Sequence, residues 1–141
     1  MLLFHPVSMV VVNLLSLYVL HLGARRFRMA HFGQPVRFAW RRHVTLGLVV
    51  LCGWGLGMAG AMAITWHFWE RVGATGWHFV NAAGFMAPLL FVGLASGVYM
   101  DRRRGRRVLL PVLHGLCNVV LVTLAMGQVF TGWHALVEFV F

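Results

Sequence analysis

Four histidines, His5, His43, His78 and His114, each stand near the N-terminal end of a different long apolar run. An imidazole placed there is costly unless it is charged, hydrogen-bonded or bound to a metal, because hydrocarbon offers it no water. The stretch VLLPVLHGLCNVVLVTLAMGQVF, residues 108–130, makes the case most sharply, with His114 and Asn118 well inside it. Neutral imidazole is the commonest side-chain ligand for metals, so one histidine per apolar run points to ligation chemistry.

The elements that must position these rings follow from composition. The 141 residues are 60% hydrophobic and 11% charged, with a mean hydropathy of +0.80. No soluble domain hides that much apolar surface, so an integral membrane protein is expected. Four spans, about 2–23, 44–66, 77–99 and 108–130, each have the roughly twenty residues that a helix needs to cross the hydrocarbon. They leave room for little else, so residues 1–141 read as one four-helix transmembrane domain. The start lacks the basic region and cleavage site of a secretory signal and reads as a retained anchor. Cys52 and Cys117 lie in apolar segments and belong to no CxxCH motif, which excludes covalent c-type haem attachment.

The net charge of +9 comes from twelve arginines against Glu70, Asp101 and Glu138. Six arginines fall between the first two spans and five between the last two, whereas the middle connection holds only Arg71. Such clustering indicates topology rather than nucleic-acid binding. Arginine-rich loops face the cytoplasm, so both termini are expected outside, in a bacterial inner membrane. Trp66, Trp69, Trp77 and Trp133 then mark the outer boundary and Trp40 the inner one. The tail GWHALVEFVF reads as a short interfacial helix. Short loops make an all-α, up-down four-helix bundle. Gly53 and Gly57, at GxxxG spacing, serve either close helix approach or clearance for a flat cofactor.

Because the helices alternate in direction, His5 and His78 share the outer half of the membrane, and His43 and His114 the inner half. In a sequential bundle these are diagonal pairs. Adjacent axes lie ~8–10 Å apart, so diagonals are on the order of 11–14 Å. That distance suits imidazole, metal, imidazole with the metal in a planar macrocycle, whereas a tetrahedral zinc needs a tighter set of more than two ligands. Two b-type haems are therefore expected, one per leaflet, held by His5/His78 and His43/His114. A lone histidine near a helix end is more often interfacial than ligating; four, matched by leaflet, shift that balance. His43 directly follows Arg41–Arg42 while His114 lies deeper, a mismatch that helix tilt or an earlier start at Pro35 would level.

Supporting residues are less determined. Gly47 follows His43 at i+4, and Ala82 and Phe85 follow His78 on one face. Asn118 and Gln128 share the face of His114 and either bond a ligand histidine, a propionate or water, or join helices. Arg41, Arg42 and Arg107 are near enough to the inner level to pair with propionates, with topology as the plain alternative. His21, His31, His67 and His134 read as loop or boundary residues without an assigned role.

FHP opening the first span, RRHVTLG and GMAGAMAIT in the second, GWHFVNAAGF in the third and LHGLCN with GQVFTGW in the fourth resemble an uncharacterised family of four-helix bacterial membrane proteins. That family is in turn similar to cytochrome b561. The resemblance covers nearly the whole chain and implies a four-helix core with two b-type haems held by histidines of alternate helices. It also implies transmembrane electron transfer. The chain lacks the two extra helices of larger members and any flavin or nicotinamide domain.

Three functions follow as expectations. The first is an electron conduit between membrane quinone and a soluble or membrane redox protein, with irons on the order of 15–20 Å apart, estimated from helix rise. The second is a small quinone-linked oxidoreductase acting on superoxide or ferric iron; little positive charge on the outer face counts against steering of an anion there. The third is a haem-free membrane anchor or transport subunit. Membrane lipid is a partner in each, nucleic acid in none, and a homodimer stays open.

Overall fold

The computed structural model describes residues 2–103, 105 and 107–141; of the loop arginines, Arg104 and Arg106 lie outside them. Runs rich in Leu, Val, Ala and Met, apolar on every side, form four helices: α1 (Phe4–Phe32), α2 (Trp40–Trp69), α3 (Trp77–Arg102) and α4 (Leu109–Phe139). There is no strand among the described residues. All four are long and apolar enough to cross a membrane. At ~1.5 Å per residue they run about 39–47 Å, beyond the ~30 Å of hydrocarbon, so their ends project past it.

The helices outrun the expected spans. Arginine favours helix, so α1 continues through Arg25, Arg26 and Arg28 and stops at Gly33, whose left-handed φ of 60° lets its N–H return to the Arg28 carbonyl. His31 is thereby in the last turn of α1, stacked 4.4 Å from Phe27, and not in a loop. The helix α2 starts at Trp40 rather than Pro35. The tail is not a separate interfacial helix: α4 runs unbroken to Phe139, whose ring meets Trp69 at 5.2 Å. That aromatic contact between helix ends holds the final turns in line.

Inside α3, residues Val80–Met86 form a π-helical segment, and the Ala87 N–H reaches the Ala82 carbonyl five residues back. Pro88 has no N–H and would crowd the carbonyl of Gly84 in a regular helix, so widening relieves the conflict. The altered phase turns Phe85 outward to 55% exposure, away from the face expected from 3.6-residue spacing.

Each helix packs against its sequence neighbours, and α1 also packs against α4. Diagonal helices thus flank a shared axis. Val50, Leu51 and Trp54 of α2, Met86 of α3, and Leu121, Val122 and Ala125 of α4 fill the middle of that axis. Over Gly53 and Gly57 lie Val12 and Met9 of α1, so the GxxxG spacing serves close approach of α1 and α2. Apolar side chains such as Val11, Leu14, Leu56, Phe91 and Leu116 face outward, as lipid contact requires.

A polar tie crosses the core. The Trp54 indole N–H donates to Asn13 Oδ1 at 2.9 Å, and Asn13 Nδ2 donates to the Ala125 carbonyl at 3.1 Å, joining α2, α1 and α4. Asn13→Leu orphans the indole N–H and should cost about 1–2 kcal/mol. Thermal denaturation in detergent measures this; an unchanged midpoint would contradict it.

Candidate functional site

The two histidine pairs expected from helix alternation meet. The His5 and His78 rings have centroids 6.4 Å apart with planes at 88°; His43 and His114 are 6.5 Å apart at 77°. All four are half-buried, whereas His21, His31, His67 and His134 are exposed. The mismatch in depth noted for His43 and His114 does not keep their rings apart.

Each ring is held by the helix next to its own in sequence. The His43 Nδ1–H donates to the Val19 carbonyl of α1 at 3.3 Å, since a carbonyl can only accept. Ser96 Oγ donates to the Val92 carbonyl at 2.7 Å and so accepts from His114 Nδ1 at 2.8 Å. Likewise Thr131 Oγ1 donates to Gln128 Oε1 at 2.7 Å and accepts from His78 Nδ1 at 3.1 Å. His5 is tied to the backbone of Gly57. For His43, His78 and His114 these bonds put the proton on Nδ1 and leave the Nε2 lone pair available. Metal-bound histidines are oriented by the same kind of second bond.

Glycine lets the rings sit so close to the neighbouring backbone. A Cβ on Gly23 would stand 3.3 Å from His43 Cε1, on Gly97 3.2 Å from His114 Cε1, and on Gly132 3.0 Å from His78 Cε1. These glycines, with Val19, Ser96 and Thr131, were not singled out from sequence. A signal was there: every span carries a glycine fourteen to nineteen residues beyond its histidine. In an antiparallel hairpin that spacing sets the glycine of one helix opposite the histidine of the other.

The separation of the rings is itself informative. A metal–imidazole bond is about 2.0–2.1 Å and the ring centre lies about 1.1 Å behind its nitrogen, so two imidazoles sharing one metal have centroids about 6.3 Å apart. Both pairs fit that span. Among the described residues no three His, Cys, Asp or Glu side chains gather to hold a metal ion. Beside His5 and His78 opens a cavity of about 530 Å³ that reaches inward past Met9 and Ala82 to Trp54, within the ~300–1,000 Å³ usual for cofactor sites.

The other candidates divide. Gln128 supports the His5/His78 pair: its Nε2 donates to the His78 carbonyl at 3.0 Å, and its Oε1 anchors Thr131. Asn118 donates to the His114 carbonyl at 2.8 Å and lies 3.4–3.5 Å from the two ring nitrogens, packed over Gly93. Arg41 and Arg42 are exposed in the first turn of α2. The arginine whose charge acts on both His43 and His114 is Arg26 of α1. Gly47 contacts only Val19 of α1, a helix-packing role.

Compared with protein-family models, with curated proteins and with solved structures, the chain matches none.

Proposed function

We propose that this chain is a membrane di-haem b-type cytochrome, similar to cytochrome b561, that carries electrons across the bilayer between a quinone and a redox partner. The observation that carries the reading is the pairing of half-buried imidazoles on diagonal helices, at 6.4 and 6.5 Å, twice in one bundle. Two levels are involved. Fourteen residues of α1 separate His5 from Val19, which holds His43, and fourteen of α2 separate His43 from Gly57, which holds His5. That is about 21 Å along the axis, enough to place one pair in each half of a ~30 Å hydrocarbon layer.

Haem, when bound, supplies the one-electron chemistry; the chain does the rest. His5 with His78, and His43 with His114, would hold the group at each level, and two histidine ligands at each favour electron passage over oxygen binding. Thr131, Ser96, Val19 and Gly57 keep the rings turned toward one another. Trp54, Leu121 and Val122 pack the space between levels, so that protein rather than water separates the sites. The arginine-rich loops would face the cytoplasm of a bacterial inner membrane, with both termini outside.

Oriented proteoliposomes with a trapped acceptor and an external quinol test the function. Electrons should reach the lumen through the parent chain and fail to do so in His78→Ala or His43→Ala. Undiminished transfer in the double variant would remove the reading. A milder effect concerns the tethers. Thr131→Val and Ser96→Ala should each weaken haem retention at one level about 10–100-fold, as read by haem loss to apomyoglobin; equal loss from both levels would contradict the assignment.

A further inference from the structure

At the arginine-rich end the helix termini converge on an open pocket of about 310 Å³, walled by Arg26, Trp40, Met100, Arg103, Arg107 and Pro111 among its lining residues. Among the described residues, three arginines line it and no acidic side chain does, Asp101 included.

Aromatic rings support the guanidinium planes: Arg26 lies 5.5 Å over Phe38, and Arg103 and Arg107 lie 5.7 and 4.6 Å over Tyr99. Stacking of this kind fixes a plane but consumes only its face, leaving the N–H edges for an acceptor. Arg107 is the most telling member. Its Nη1 is shut off from solvent and has no hydrogen-bond partner, a costly state for a charged donor. An oxyanion seated beside it would accept that proton and offset the mutual repulsion of the three cations.

We infer that this pocket, where α1, α2, α3 and α4 end, binds a phosphate group, as the headgroup of an anionic lipid or as free phosphate. A tetrahedral phosphate offers oxygens in several directions and takes planar arginine forks from more than one side at once, as a two-oxygen carboxylate does not. The pocket lies just past the apolar runs with Trp40 on its wall, the depth at which lipid headgroups meet basic pockets between helices. The inference stands independently of the haem reading.

The full chain in a neutral detergent should be titrated with phosphatidylglycerol, with phosphatidylcholine and with inorganic phosphate, following the thermal midpoint. A saturable rise with phosphatidylglycerol but not phosphatidylcholine identifies a lipid headgroup; a rise with inorganic phosphate at comparable concentration identifies a soluble ligand. Arg107→Gln and Arg26→Gln should each weaken the response about 10–100-fold, the loss of one charge-assisted bond. Arg107→Lys, which keeps the charge and loses the fork, should weaken it less and covers the case in which the glutamine variant does not fold. Arg28→Gln, exposed and off the wall, should leave it unchanged. A loss in Arg28→Gln equal to that in Arg107→Gln would overturn the inference. Equal responses to both lipids with none to phosphate, or a full response in both glutamine variants, would also overturn it.

Discussion

His78→Ala is expected to leave the purified chain with one b-type haem in place of the two proposed for the parent, and His43→Ala to do the same at the other level. Each substitution takes one imidazole from a facing pair and leaves its partner docked on the adjacent helix: His5 on Gly57, or His114 on Ser96. A haem held from one side alone would lose half of its protein ligands, and the described residues gather no third His, Cys, Asp or Glu to replace one. The levels are about 21 Å apart along the axis, so the losses should be independent between levels and strongly non-additive within one. The His5/His78 double variant should therefore look like either single variant, while His78/His43 should be colourless. His67→Ala and His134→Ala, exposed positions, should retain both haems. Two haems in His78→Ala would overturn the ligand assignment.

Gly132→Leu should empty the His5/His78 site as completely, without replacing either histidine. A Cβ there stands 3.0 Å from His78 Cε1, so the ring must give way by a few tenths of an ångström for the Cβ alone, and the rest of the isobutyl group would push the ring off Thr131. Gly97→Leu should act in the same way on His114 at the His43/His114 site, where the distance is 3.2 Å. Two observable quantities should move in opposite directions. Replacing glycine in a helix raises intrinsic helix propensity by up to about 1 kcal/mol, so helix content should hold or rise while haem falls. Gly60→Leu, whose added Cβ meets nothing within 4 Å, should gain the propensity and keep both haems. Haem loss from Gly60→Leu equal to that from Gly132→Leu would show that the glycine effect is general and not a consequence of ring contact.

Much of this arrangement is legible in the sequence because it depends on direction and depth alone. A histidine at the start of each of four alternating spans must fall in diagonal sets, and the coordinates bring His5 to His78 and His43 to His114. Helix ends were harder to read. Hydropathy marks where lipid stops, whereas the helices continue beyond it, α1 until the left-handed Gly33 and α4 as far as the Trp69–Phe139 contact. The π-helical segment was hidden because it arises from one proline acting on the preceding turn. Val19 and Arg26 were beyond reach for another reason: a main-chain acceptor has no side-chain signature, and one arginine among many is distinguished only by which rings it approaches. Gln128 illustrates the same point, since helix phase put it on the face of His114 while its partner is His78 on α3.

The central claim is tested most directly by a reduced-minus-oxidised absorbance spectrum of the chain expressed with ample haem supply, with haem counted per polypeptide as the pyridine complex. Two b-type haems per chain is the expected result. A folded, fully helical protein that purifies colourless would contradict the claim, and the facing imidazoles would then need another occupant.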